Sequence, residues 1–169
     1  MELLALSDSC TDEVVLSDVS VSEEFLLHGP IENVMTASQT SGAGGLQTSA
    51  LALGLAARAI DWIQDQANKR KSLEIHADNL SNRWIQLVDE LLLLARNQTA
   101  NLNATSLREE SNRLVLRSTQ AAIAIGKGAG FLASHPVARW TKESMFFLVW
   151  SCPQGIADAH LCELTHFDL

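Results

Sequence analysis

Between Leu55 and Ile125 the chain runs for 71 residues without a glycine or a proline. Those two residues interrupt regular structure most readily, so the middle of the chain is expected to be largely helix, punctuated by polar breaks. Two breaks stand out. Lys69-Arg70-Lys71-Ser72 carries positive charge that suits a helix C-terminus, and Asn97 to Ser106 is a run of Asn, Thr, Gln and Ser with little apolar surface. They divide the stretch into three long helices. The first, about Gln47 to Lys69, places Ala50, Leu53, Ala57 and Ile60 on one face, with small side chains that permit close approach of a neighbour. In the second, Leu80, Trp84, Leu87, Leu91 and Leu94 follow a four, three, four, three spacing, and Val88, Leu92 and Ala95 widen the stripe. The third opens with a Ser106-x-x-Glu109 capping box and runs through Leu114, Ala121 and Ile125. A fourth begins at Pro136, well placed in a first helical turn, and carries Val137, Trp140, Phe147 and Leu148 to about Trp150. Four amphipathic helices joined by short breaks predict an all-α fold, an antiparallel four-helix bundle.

The first 48 residues follow a different pattern. Val19 and Val21 alternate with Ser20 and Ser22 after Val14-Val15-Leu16, as in a half-exposed strand, and Leu26-Leu27-His28-Gly29-Pro30 reads as a turn. Residues 36–45 are rich in Ser, Thr and Gly and read as a linker or irregular crossing. One or two strands make no sheet that is stable alone, so this segment needs a partner, belongs to a larger sheet, or is loosely ordered. The expected organisation is a β or irregular segment over 1–45 and a helical bundle over 46–169.

Charge sharpens the division. Residues 1–48 hold eight acids and no Lys or Arg, whereas 49–169 hold twelve of each, giving the net −8. The acidity argues against a nucleic-acid or anionic-membrane surface. No run reaches the roughly 20 apolar residues needed to cross a bilayer. The start lacks the pattern of a secretory signal, and Cys10, Cys152 and Cys162 form no C-x-x-C pair, so a cytoplasmic chain is expected. The five histidines show no metal-ligand spacing, and no structural metal is expected. Glu23-Glu24 and Glu109-Glu110 read as solvated faces, and Cys152 as a buried thiol rather than a nucleophile.

Several motifs resemble one family. Glu13-Val-Val-Leu-Ser-Asp-Val-Ser-Val followed by Phe25-Leu-Leu-His-Gly-Pro resembles the end of the β-domain in acyl-CoA dehydrogenases. Leu53-Gly-Leu-Ala-Ala-Arg-Ala looks like that family's "lG-x-A-x-x-A" helix, and Gly128-Ala-Gly-Phe-Leu-Ala-Ser-His-Pro-Val-Ala-Arg139 like its "G-x-G-Y-x-x-x-x-P-V-x-R" segment. The resemblance covers roughly Glu13 to Leu161 and corresponds to the family's C-terminal portion. It implies a four-helix bundle that covers FAD and an acyl-CoA thioester and builds the tetramer. The family's glutamate base falls at Ser151, and the alternative base position at Gly44, so neither carboxylate is present. Whether the chain is an enzyme is therefore open; dehydrogenation by this chain alone is not expected.

By the same resemblance Arg70 occupies the place of an arginine that contacts the FAD pyrophosphate, for which a guanidinium is well suited. The Phe-Gly expected after it is Leu73-Glu74, and a plain cationic helix end, which Lys69 and Lys71 supply just as well, is the favoured reading of Arg70. Gly128 and Gly130 occupy a turn that presses backbone against FAD, with Ala124 and Lys127 replacing the usual Gln and Gly; a tight interhelical turn is the simpler reading. A Rossmann fingerprint at Gly126-Lys-Gly-Ala-Gly130 is excluded by the lack of a preceding strand. FAD is thus implied by resemblance but expected to be absent from this chain alone. Partners could include missing flavoprotein domains or a separate subunit. A non-enzymatic helical assembly module is the alternative, and a homo-oligomer, dimer or tetramer, is expected under both readings.

Overall fold

The computed structural model describes residues 3–9, 11–26, 29, 32, 46–150 and 154–166. The chain divides into two compact units, Met1–Gly42 and Ala43–Leu169.

Within the first unit the described residues form two 3₁₀ turns, Ser7–Ser9 and Glu23–Phe25, and otherwise no regular structure. The strand expected around Val14 to Val21 does not form among them. Val14, Val15, Leu16, Val19 and Val21 are all exposed. Asp18 takes a left-handed backbone, φ 50°, in the middle of the alternation. A period-two pattern becomes a strand only when a second strand supplies ladder partners, and the described residues offer none.

The second unit is all-helical: α1 (Leu46–Ala67), α2 (Glu74–Ala95), α3 (Ala104–Gly130), α4 (Pro136–Ser144) and α5 (Gln154–Thr165). The expected set of four long helices is corrected in two places. The fourth is short, giving way to a 3₁₀ turn at Met145–Leu148, and a fifth helix follows. Among the described residues no helix is long and apolar enough to cross a membrane.

The core has two storeys. In one, Ala52, Leu53, Ala56 and Ile60 of α1 meet Leu87 of α2, Leu107, Leu114 and Val115 of α3, and Phe147. In the other, Ala59, Ile63 and Ala67 meet Ala77, Ala122, Val137 and Trp140. The early part of α1 therefore packs on the early part of α3 and the late part on the late part, so these two run side by side in the same direction while α2 runs antiparallel against both. Small residues bring α1 close, as expected, but through a shifted face: Ala50 is exposed, and Ala52, Ala56, Ala59 and Ile63 point inward. On α2 only Ala77 and Leu87 are fully buried; Leu80, Trp84, Leu91 and Leu94 are half-covered. Trp84 also donates its indole N–H to the Leu53 carbonyl oxygen at 2.9 Å, satisfying its polar edge.

The breaks are built by polar side chains. After α2, Asn97 adopts φ 54°, the Gln98 N–H bonds the Leu93 carbonyl at 2.9 Å and the Asn97 N–H the Leu94 carbonyl at 3.0 Å, which together close a Schellman motif. Glu90 then accepts from the backbone N–H groups of Asn101 (2.8 Å) and Leu102 (2.9 Å), fastening the loop. Helix α3 starts two residues before the expected Ser106 box. Its cap is Asn103, whose side chain accepts from the Ser106 N–H at 2.9 Å. At the head of α4, Pro136 sits in the first turn as expected, and His135 Nδ1 accepts from the Val137 N–H.

Candidate functional site

Where the end of α1, the start of α2 and the later turns of α3 converge, they border an open cleft of about 540 Å³. Its apolar floor comes from Leu73, Leu80, Ala121 and Ile125. Arg70, Arg117 and Lys127, joined by His76 and Asn79, form the polar rim. Local rules explain the arrangement. Arg70 follows the last turn of α1, where cations complement the helix dipole. Arg117, Ala121 and Ala124 stand four and three residues apart, so one face of α3 presents a guanidinium above two small side chains that leave the space open.

Arg70 is exposed, and its NH2 group makes one long hydrogen bond, 3.4 Å, to the Ile125 carbonyl oxygen. Lys127 reaches the same cleft from an interruption in α3, where its backbone departs from helix (φ 51°, ψ −144°). The left-handed position in the Gly126 to Gly130 stretch thus belongs to the lysine, not to a neighbouring glycine. Arg117 is held from the other side by Glu163 of α5, at 2.9 Å.

That last contact belongs to a ladder of charges across three helices. Arg83 of α2 bonds Glu110 of α3 at 2.6 Å, Arg113 bonds Glu110 as well, and Arg113 bonds Glu163 at 2.6 Å. Burial disfavours the charge on Glu163, but Arg113 and Arg117 outweigh it and hold the carboxyl below the ordinary carboxylate range. The hydrogen bond to Glu163 raises the pKa of Arg113 further, against its partial desolvation. Glu110 is consequently an interhelical link, not the solvated residue that the sequence suggests, whereas Glu109 is half-buried and makes no such bridge among the described residues.

The sequence-derived candidates fare differently. Arg70 and Lys127 meet at the cleft. Gly128 is exposed and Gly130 is buried, and neither lines it. A Cβ built on Gly130 would lie 3.5 Å from the Ile123 carbonyl oxygen, an ordinary contact. Ser151, Gly44 and Cys152 lie outside the described residues. His76, Asn79 and Arg117 escaped the sequence reading; the one signal for them was the arginine set above Ala121 and Ala124 at helical spacing. Among the described residues no group of three or more His, Cys, Asp or Glu side chains comes together to hold a metal ion. Three cations above an apolar floor suit a ligand that carries both phosphate and a planar or aliphatic body.

No protein-family model matches the chain, and no curated protein sequence matches it. Among solved structures the fold is similar to a chain from a study titled "Electron transferring flavoprotein of Acidaminococcus fermentans: Towards a mechanism of flavin-based electron bifurcation", with a TM-score of 0.56 and 14% identity over 72% of this chain. At that identity the likeness is one of fold. The present chain spans 36% of the length of that neighbour. This corrects the family assignment drawn from the sequence motifs: the neighbour is an electron transferring flavoprotein, not an acyl-CoA dehydrogenase. A physical reason is visible at the glycine of the helix motif: a Cβ built on Gly54 meets nothing within 4 Å, so no packing contact in this fold requires a glycine there.

Proposed function

We propose that this chain is a helical domain of a flavin-linked electron-transfer protein, and that its cleft receives the phosphate-bearing part of a flavin dinucleotide. The observation that carries this reading is the convergence of Arg70, Lys127 and Arg117 over the floor of Leu73, Leu80, Ala121 and Ile125. The donor chemistry fits the group. Arg70 and Lys127 can oppose the charge of a pyrophosphate, with Arg117 beside them sharing its charge with Glu163, and Asn79 can bond a sugar hydroxyl or ring edge. The cleft volume lies within the range of about 300–1,000 Å³ typical of small-molecule sites. The fold likeness to an electron transferring flavoprotein supports the same assignment. Gly128 and Gly130, which stand beside the cleft in sequence, would contribute little beyond shaping the end of α3. FAD, when bound, supplies the redox chemistry; this chain's part is to bind and orient it.

The test is titration of the purified chain with FAD, ADP and riboflavin, followed by flavin fluorescence and calorimetry. FAD and ADP binding that falls at least about tenfold in the Arg70→Ala/Lys127→Ala variant supports the reading, since each lost charge-assisted contact is worth about 1.5–3 kcal/mol. An absent FAD response, or equal affinity in wild type and variant, overturns it.

A second reading rests on the outer faces of the helices. Ile75, Ile85 and Leu92 of α2 and Leu161 and Leu164 of α5 are large apolar side chains left in water. They favour an assembly role, with self-association into a dimer or tetramer. Sedimentation of the wild type against an Ile75→Lys/Ile85→Lys/Leu92→Lys variant tests it: an oligomer that the variant dissociates supports the reading, and a monomeric wild type overturns it.

A further inference from the structure

Helix α5 meets α3 through a small, sealed hydrogen-bond network whose proton positions follow from geometry. Arg108 Nε donates to Asn112 Oδ1 at 3.1 Å. Arginine only donates, so the amide oxygen of Asn112 is the atom that faces it. The amide nitrogen must then be the atom 3.0 Å from the Phe147 carbonyl oxygen and 3.0 Å from His160 Nε2. An amide nitrogen only donates, so His160 Nε2 accepts and the ring proton resides on Nδ1. Turning the amide over would set its oxygen against the Phe147 oxygen and its N–H against Arg108. Arg108, Asn112 and His160 are all buried, leaving little water to stand in.

We propose that α5 is a proton-sensitive latch, docked on α3 while His160 Nε2 is bare and released when that nitrogen takes a proton. A protonated Nε2 would point its N–H at the N–H of Asn112, and the loss would fall on the contact that closes α5 over α3.

The surrounding charges oppose one another, the two acids outweighing the two arginines. Glu163 on the same helix and Glu109 on α3 favour the imidazolium, while Arg108 and Arg113 on α3 oppose it; the 145–148 turn offers only the Phe147 carbonyl, already bonded to Asn112. Asp158 lies on the exposed side of α5. Burial dominates and pushes the imidazole below its ordinary 6.5. A base held neutral in the docked state gives full docking above 6.5 and weakens as the pH falls below it, by up to about tenfold in the docking equilibrium per pH unit, until the depressed value is reached. Glu163 keeps its charge throughout the upper part of this window, because its own carboxyl sits below 4.5. The proposal stands apart from the flavin reading, since none of these residues lines the cleft except through Arg117, the partner of Glu163.

The experiment uses the full chain and two readouts. Nitrogen NMR of the His160 ring at neutral pH is expected to show the proton on Nδ1. Amide hydrogen exchange, corrected for intrinsic rates, is expected to show opening of residues 154–165 rising severalfold to tenfold from about pH 6.5 to about pH 5.5, with α1 unchanged. In His160→Gln a side-chain oxygen can accept from Asn112 without titrating, so that opening should become independent of pH. A proton found on Nε2, a wild type flat across the window, or a His160→Gln variant with the same pH dependence overturns the latch. A His160→Gln variant that is open at every pH overturns the Gln mimicry and, with it, the claim that an acceptor at this position suffices for docking.

Discussion

Arg108 on α3 donates from its NH2 group to the carbonyl oxygen of Trp150, 42 residues further along the chain, at 3.2 Å. Together with the Asn112 bond to Phe147, it ties α3 to the segment that ends the Met145–Leu148 turn. The arginine is 1% exposed, so no solvent replaces it when it is removed. Arg108→Ala is expected to cost about 3 kcal/mol, because it strands the Asn112 oxygen in a sealed site and deletes packing as well. Arg83→Ala, which removes an outer rung of the charge ladder, is expected to cost about 0.5 kcal/mol. Urea denaturation of the two variants measures the difference; equal losses would refute the distinction.

The left-handed residue after α2 gives a second expectation. Asn97 occupies the position of the Schellman motif where glycine is usual, and asparagine tolerates it through its short side chain. Asn97→Gly should leave stability unchanged or raise it by a few tenths of a kcal/mol, whereas a β-branched Asn97→Val should lower it by about 1–2 kcal/mol. Thermal unfolding of the pair decides, and a tolerated valine would mean that the motif contributes nothing.

Lys127 stands in a more restricted backbone region than Asn97 (φ 51°, ψ −144°). Lys127→Gly is therefore expected to stabilise the chain by about 1 kcal/mol while weakening binding of any phosphate ligand in the cleft. The opposed signs are the diagnostic. A variant less stable than wild type would show that the kink is relaxed by contacts of the lysine itself.

Acid provides a fourth. Glu163 is desolvated by burial, yet Arg113 and Arg117 depress its pKa below the ordinary 4.5. A depressed carboxyl gives stability that is complete above its unfolded value and is lost as the pH falls below 4.5 through the folded value. Glu163→Gln should thus destabilise the protein near neutrality and flatten the acid limb of its stability profile. A profile below 4.5 identical to that of the wild type would assign the acid response to other carboxylates, such as Glu90, whose backbone bond to Leu102 and side-chain bond to Asn101 also depress it.

How much of this was readable in advance depends on what each element needs. Helices α1 to α3 were legible because their signals are local: absence of Gly and Pro, and leucines at helical spacing. The inward face of α1 was ambiguous, since alanines occupy nearly every side and only the neighbours decide that Ala52, Ala56 and Ala59 lie inside. Helix α5 escapes the sequence pattern because little of it is apolar and inward; among its described residues Ile156 and His160 are the buried ones, and the histidine carries no hydrophobic signal. The N-terminal alternation reads as a strand because period two is a property of sequence, while pairing is a property of partners. At the site, Arg70 was recognisable as a cation near a helix end, and Lys127 as one among glycines. Their meeting with Arg117 is a tertiary fact, produced by α1 and α3 running side by side, and no spacing along the chain encodes it.

The shallow seating of α2 shapes how the molecule would fail. With only Ala77 and Leu87 fully enclosed, this rod has the weakest claim among the three long ones to its berth, and thermal fluctuation should peel it away before α1 parts from α3. What would then be laid bare is the greasy ribbon of Leu80, Trp84, Leu91 and Leu94 together with the matching wall of α1. Two such half-opened copies would clasp each other readily, so heat or crowding would bring clumping through this seam well before the chain as a whole came undone.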